Sequence, residues 1–481
     1  MRRLLLSSIL LLSAPLAAQP PRALQPAQLQ QDFDVLTRAL EEAHGGLHRF
    51  TAKPELDRVF AAARANLNEP MTSLRFASVL SEALAAIHDG HTRLEYDDAT
   101  TSALASGPML PLRVALEDDR LIITANDTPA DSTILPGMEL MSINGRPTTS
   151  IVKAIAPKLS GDGFIETGKR SRLARSFAQN YWLYVEQATT FTVVARSAAQ
   201  TVTTTLKGVT SAERASSTNP VNTAIAANVA RLDGSRDTIA LSFPQGEDIG
   251  VLRIRAFDGT TFISSLEHAI ATLREKRAKG VILDLRGNGG GVDMYGAALV
   301  SQFLSGPFRY FDRIKVTTIK PSFATWKAST FDDLKNGTTP APGGGFLVLP
   351  KLHPGVSEQP PATAPFPGKL VALIDGGTFS TSADVCAQLR SRTNALFVGE
   401  ETGGAAEGNT SGLNAQVVLP NSQLKLKVQM YGYWNALGPL HPEALQRGRG
   451  TMPDVSVLRT TADNMAGVDT AVREALTVIR R

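Results

Sequence analysis

The chain has 481 residues, 43% hydrophobic and 20% charged, a balance ordinary for a globular protein and long enough for two or three domains. Its formal charge of +4 drops by two, to +2, once Arg2 and Arg3 are set aside, and no Lys/Arg run stands out, which argues against nucleic acid as a partner. Cys386 is the only cysteine, so an intramolecular disulfide is excluded. Its setting, Asp384-Val385-Cys386-Ala387-Gln388-Leu389, reads as a buried helix face rather than a reactive thiol.

The first residues are Met1-Arg2-Arg3, an apolar run from Leu4 to Leu12, then Ser13-Ala14-Pro15-Leu16-Ala17-Ala18. A positive start, a short apolar core and small residues predict a secretory signal peptide over 1–18. The run is too short to span a bilayer, and no later stretch is long and apolar enough to do so. A large secreted chain without disulfides suits a bacterial periplasm better than an animal extracellular space.

Residues 24–98 read as a helical domain. Phe33, Leu36, Leu40 and His44 fall at helical spacing, a second helix is expected from Pro54 to Asn66, and a third starts after Thr72-Ser73, where a hydroxyl can cap it. The pattern stops at Asp89-Gly90, which places His91 just beyond a helix end. His88 lies close to His91, but without a third ligand the pair is a weak metal signal, and no metal or cofactor is expected.

Residues 107–208 change to strand periodicity, with Leu112, Val114 and Leu116 alternating and Asn144-Gly145 marking a tight turn between apolar residues. The stretch Pro136-Gly137-Met138-Glu139-Leu140-Met141-Ser142-Ile143-Asn144-Gly145 resembles the PDZ domain. Thr190 to Leu206 would close its sheet, and the helical segment Arg170 to Val185 would be an insertion or its groove helix. Residues 209–235 are rich in Ser, Thr, Ala and Asn and are expected to be a linker or long hairpin. From 236 to 470 strands and helices alternate, as in an α/β domain. Residues 335–367, broken by Pro and Gly, are expected to be a surface excursion, either a lid or a solvated insertion.

Three features of this frame could carry chemistry. Ser380 follows the buried-type strand Leu370 to Asp375 and precedes a helix. It could be an N-cap, or a nucleophile at a helix N-terminus where dipole and amides favour developing negative charge. Ser382 could take over the cap and free Ser380. Gly289-Gly290-Gly291 also sits between strand and helix, as a tight turn or as backbone donors for an oxyanion. It lacks the Gly-x-Gly-x-x-Gly and Lys-Ser/Thr patterns of phosphate loops. His91 could be structural, or it could be the base that a serine needs near neutral pH. A base, backbone donors and a nucleophile are the parts of an acyl-transfer enzyme.

The joint pattern resembles the tail-specific, or C-terminal processing, serine peptidases. Asp284-Leu285-Arg286-Gly287-Asn288-Gly289-Gly290-Gly291, Gly377-Thr378-Phe379-Ser380, Val398-Gly399-Glu400-Glu401-Thr402-Gly403-Gly404 and Gly448-Arg449-Gly450-Thr451-Met452-Pro453-Asp454 are similar to that family's recurring stretches. The resemblance implies a crotonase/ClpP-like α/β core, with the helical and PDZ-like domains N-terminal to it. One branch of the family uses a Ser-Lys dyad, but the matching place here is Ala405. The tricorn-like branch uses a histidine, which implies Ser380 as nucleophile and His91 as base. Amides of Gly289 or Gly290 and of Thr381 would form the oxyanion hole. That branch also carries a glutamate where this chain has Gln446-Arg447, and Glu443 is the nearest acid that could substitute.

The expectation is therefore a secreted or periplasmic serine peptidase acting on peptides or proteins. The alternative is a binding protein that keeps the fold without turnover, as the same resemblance includes retinoid-binding modules. An α/β-hydrolase esterase would need a Gly-x-Ser-x-Gly elbow, which is missing.

Overall fold

The computed structural model describes residues 23–481 except 130 and 325–326, so the expected signal peptide lies outside the described residues. The first three helices are Pro26–Ala43, Lys53–Ala65 and Ser73–Ala85. Leu29, Phe33, Leu36 and Leu40 turn inward from the first, and the Thr72 hydroxyl accepts the Arg75 amide at 3.2 Å to start the third. These helices do not close a core alone. Val417, Leu419, Leu424, Leu426 and Val428 complete it. They come from the hairpin of strands Thr410–Val418 and Lys425–Asn435 and the turn joining them. Strand Leu94–Glu95 then pairs with that hairpin, Leu94 opposite Leu426. The helical segment is thus bound to the far end of the sequence. The third helix ends at Ala85 and not at Asp89, leaving His88 to His91 in an irregular turn with His88 at φ 58°.

The next unit is a sheet in the order Leu112–Glu117, Arg120–Asn126, Glu139–Ile143, Thr190–Arg196, Thr201–Lys207, antiparallel throughout. Asn144 (φ 47°) and Gly145 (φ 76°) form the tight turn their dipeptide predicts. Helices Glu166–Arg175 and Phe177–Tyr184 cover the sheet, with Phe177, Tyr181 and Phe191 in the shared core.

The expected linker at 209–235 is instead two docked helices, Ser211–Ala215 and Thr223–Asp233. Its Thr210-Ser211-Ala212-Glu213 is a capping box, a start signal hidden by the polar composition. Arg214 pins the segment by donating to Asp127 Oδ2 at 2.7 Å.

The central sheet runs Val455–Ser456, Leu396–Gly399, Lys369–Ile374, Gly280–Asp284, Ile249–Ile254, Ile239–Ser242, parallel except for the last pair. Every residue of Gly280–Asp284 is buried, as a strand covered on both faces should be. Helix Thr470–Arg480, beyond the expected end of the core, covers one face with Ala471, Ala475, Val478 and Ile479. Residues 335–367 are not a solvated excursion. Strands Thr338–Pro340 and Phe346–Val348 extend the sheet of Phe311–Val316, because Phe346 and Leu347 pair with Val316 and Lys315, partners that a composition reading cannot see.

The Asp-Leu-Arg stretch explains itself structurally. Arg286 bonds both oxygens of Asp284, at 2.9 and 2.7 Å, and both oxygens of Asp469, at 3.0 and 2.9 Å. This buried fork fixes the strand end from which the glycine loop departs and ties it to the final helix.

Candidate active site

Ser380 stands where strand Lys369–Ile374 hands over to helix Thr381–Arg392. The turn is stitched to the glycine loop: Phe379 N donates to Asn288 O at 3.0 Å and Thr378 Oγ1 to Leu285 O at 3.0 Å. Ser380 takes φ 55°, ψ −134°, a conformation that costs a non-glycine residue about 1–3 kcal/mol. It is the residue before the helix, yet its hydroxyl caps nothing. Ser382 does not take over the cap either; it lies inside the first turn and its Oγ has no partner among the described residues. The backbone closes that turn, with Ala383 N and Asp384 N reaching Ser380 O at 2.8 and 3.0 Å. The hydroxyl of Ser380 is left free for other work.

It meets His91. The Nε2–Oγ distance is 3.1 Å, across 289 positions of sequence. The imidazole stacks on Phe379, ring centres 4.6 Å apart, and the guanidinium of Arg172 lies 4.7 Å from the same ring. Arg172 also donates to Gly90 O (2.8 Å) and Ser160 O (2.9 Å). Gly90 has no room for a side chain, since a Cβ there would stand 2.8 Å from both Arg172 and the Phe379 ring. The flanking residues thus set the position of the imidazole before substrate arrives.

Two buried carboxyls brace the loop. Asp89 accepts His91 N at 2.9 Å, His44 Nε2 at 2.8 Å, Thr92 Oγ1 at 2.8 Å and the Thr410 hydroxyl. Burial alone would raise its carboxyl, but the hydrogen bond from His44 and the nearby imidazoles outweigh burial and hold it well below the usual range. Asp162 accepts Gly90 N at 2.7 Å and Ala405 N at 3.4 Å. Burial, with Asp89 adding to it, pushes Asp162 up to about 7. Burial also pushes His91 down to about 4, helped by the charges of Arg172 and Arg93 and opposed by Asp89. The imidazole is therefore neutral, the state a base requires. Asp89, His91 and Asp162 bring ligating atoms within 4.8 Å of one another, a grouping that can also hold a cation. Asp89 is already saturated with donors, however, and Nε2 of His91 faces the hydroxyl.

The structure does not bring Glu443 to this cluster. Its carboxylate, 74% exposed, faces His441 at 3.5 Å, and Nδ1 of His91 has no hydrogen-bond partner among the described residues. Ala405, in the dyad lysine's place, backs onto Asp162. The three expected oxyanion donors differ. Gly290 N is spent on Asn288 Oδ1 at 2.9 Å, whereas the amides of Gly289 and Thr381 have no acceptor among the described residues. Gly290 still shapes the space, because a Cβ on it would lie 2.7 Å from Ser380 Cβ and 2.9 Å from Thr381 N.

Asp162, Arg172 and His44 were not singled out as site residues in the sequence. Only His44 left a trace, as the last member of a helical stripe, and it sits as the buried end of that helix. Cys386 is fully buried, and burial pushes its thiol up, away from reactivity. A cavity of about 500 Å3 opens beside His91, Gly289 and Phe379, between the helical segments and the core.

No curated protein matches the chain. Three crystal structures of one protein, CPAF, share its fold. Mature CPAF aligns at 15% identity over 95% of this chain and 97% of that one, with a TM-score of 0.63. Its complex with lactacystin aligns at 15% identity over 95% and 98%, TM-score 0.65. A serine-to-alanine mutant aligns at 15% identity over 95% and 97%, TM-score 0.66. The sequence description of peptidase family S41 matches residues 248–457, the segment that holds the glycine loop and Ser380. That segment is similar to peptidase family S41, and the match supports a serine-type peptidase.

Proposed function

We propose that the protein hydrolyses peptide bonds by Ser-His acyl transfer. Ser380 Oγ attacks the scissile carbonyl carbon, its proton passes to His91 Nε2, and the carbonyl electron pair moves onto oxygen. The amides of Thr381 and Gly289 hold that oxyanion. The C–N bond then breaks as His91 returns its proton to the leaving amine, and water repeats the sequence on the acyl-serine. The single observation that carries this reading is the 3.1 Å contact between His91 Nε2 and Ser380 Oγ. We assign the orienting carboxyl to Asp162 instead of Glu443, since Asp162 has oxygen lone pairs to spare and lies in the imidazole cluster.

Substrate entry follows from the edge of the β-unit. Strand Leu112–Glu117 ends its sheet, and with helix Glu166–Arg175 it lines a groove of about 420 Å3 that reaches Gly376 and Gly377. An extended peptide could add to that edge as a further strand, the binding mode of a PDZ-like domain, and be led to a crotonase/ClpP-like core. Among the described residues no helix is long and apolar enough to cross a membrane. With residues 1–18 read as an export signal, the site of action is periplasmic or extracellular. A fluorophosphonate probe should label Ser380, and Ser380→Ala should abolish both labelling and peptide cleavage. A folded protein that takes no label at Ser380 would instead be a binding protein of this fold.

A further inference from the structure

The cavity beside the nucleophile has one sign of charge. Arg93, Lys158, Arg172 and Arg175 line it, and no carboxylate among the described residues does. This is local, since the whole chain carries a formal charge of only +4. The neighbouring groove along Leu112–Glu117 is mixed, with Asp375 and Glu400 facing Arg170 and Arg175. The four cations are also poorly neutralised by the protein. Arg93 has no hydrogen-bond or ion-pair partner among the described residues, and Arg175 bonds only the Ser171 hydroxyl at 3.0 Å. Lys158 faces Glu82 at 3.6 Å, and that carboxylate is 60% exposed. Arg172 spends donors on two carbonyls and no acid. Mutual repulsion depresses Arg172 further, with burial the larger cause and Arg93 and Arg175 adding to it, while Asp162 and Asp89 oppose. Like charges gathered along one cleft repel one another and draw anions from solution.

We infer that this cavity is a carboxylate subsite, so that the preferred substrate carries an anionic carboxylate within a few residues of the bond that Ser380 attacks. The inference rests on the serine-peptidase reading for its position and on the cation set for its chemistry. The carboxylate has two possible sources, an Asp or Glu side chain or the free C-terminus of the peptide. The cavity also presents Tyr96 and Tyr184, whose hydroxyls bond each other at 2.9 Å and can border an extended chain.

The test separates binding from turnover. Fluorescent peptides are made in isosteric pairs, Asp against Asn and Glu against Gln at each position flanking the cleavage site, and free acid against amide at the C-terminus. Their affinities for the Ser380→Ala protein are measured by anisotropy, and cleavage is measured with the unmodified protein. At one position, or at the C-terminus, the anionic member should bind about tenfold tighter than its isostere, the scale of a charge-assisted hydrogen bond. The preference should shrink with added salt and collapse in an Arg93→Gln/Arg175→Gln variant. A side-chain source follows the Asp/Asn or Glu/Gln pair, and a terminal source follows the acid/amide pair. Equal affinity within every pair, or a preference that survives the double variant, overturns the inference. Failure of the catalytic reading would look different: no label at Ser380 in the unmodified protein, or cleavage that persists in Ser380→Ala.

Discussion

Gly290 offers the sharpest test of how the oxyanion site is built. Its φ of 100° is one that side chains rarely adopt, and an alanine there costs on the order of 1–2 kcal/mol from the backbone alone. The added methyl would also stand 2.7 Å from Ser380 Cβ, 2.9 Å from Phe379 O and 2.9 Å from Thr381 N. Two of these are backbone atoms of the elbow, so the strain cannot be relieved by rotating a side chain. The methyl lies against the very amide assigned to the oxyanion, and loss of one such donor typically costs about 10²–10³ in kcat. Gly290→Ala should therefore lower kcat by at least a hundredfold and reduce stability by about 2 kcal/mol or more. Gly289→Ala is the control. Its Cβ would meet nothing within 4 Å and its φ is not positive, so its amide remains available. That variant should keep its melting temperature and most of its kcat. Steady-state cleavage and thermal melting of both proteins check the pair. A folded Gly290→Ala with near-normal kcat would refute the placement of the oxyanion, as would Gly289→Ala losing as much as Gly290→Ala without loss of stability.

Other outcomes follow from the same geometry. At φ 55°, Ser380→Gly should melt higher than Ser380→Ala, by about 1 kcal/mol, while both are inactive; equal melting would mean the elbow is not strained. Asp162→Asn should lower kcat/KM by about ten- to a hundredfold and alter its pH profile, whereas Glu443→Gln should stay within about twofold; the reverse order would restore Glu443 as the orienting acid. Arg286→Met would leave Asp284 buried beside a lost partner and should cost about 3–5 kcal/mol in denaturant titrations, with little change there showing that the fork is dispensable.

The sequence marked candidate residues for the site more clearly than the residues that support them. Asn144-Gly145, Thr72 and the strand at 281–285 act through neighbours in the chain, so local chemistry was enough to read them. Ser380 and the glycine loop were legible as candidates because a strand end positions each, and His91 because Asp89-Gly90 punctuates the sequence before it, although its helix already ends at Ala85. Asp162 was not, because it works through Gly90 and Ala405 amides 72 and 243 positions away. The conspicuous family stretches proved largely structural. Asp454 takes Arg390 in a fork, at 3.0 and 2.9 Å, and the Phe397 amide at 2.7 Å. Glu401 takes Arg449 at 2.8 and 2.6 Å. Such residues mark the fold strongly through contacts within the chain. Composition misled twice, at 209–235 and 335–367, where polar or Pro/Gly-rich segments find tertiary partners that no local pattern announces.

The ionisations around the imidazole give the site its pH signature. An unperturbed histidine, near 6.5, would be half protonated in mildly acidic solution and lose its role as base there. His91, pushed down to about 4, stays neutral through that range. The acid limb of kcat/KM should therefore lie near 4, falling about tenfold per pH unit below it. Stability bears the cost in one direction. Between about 6.5 and 4 the unfolded chain binds the proton that folded His91 refuses, so this residue destabilises the fold as pH falls through that window. Asp162 acts oppositely. Its folded value of about 7 exceeds its unfolded value, so its contribution is whole in acid and is lost as pH rises toward and through 7. His91→Gln should thus flatten the acid-side loss in melting temperature, and Asp162→Asn the neutral-side loss. An acid limb of kcat/KM at 6 to 7 that persists in Asp162→Asn, where the carboxyl that titrates near 7 is gone, would mean that His91 is charged in the working enzyme, and the neutral, stacked imidazole would not be its resting state.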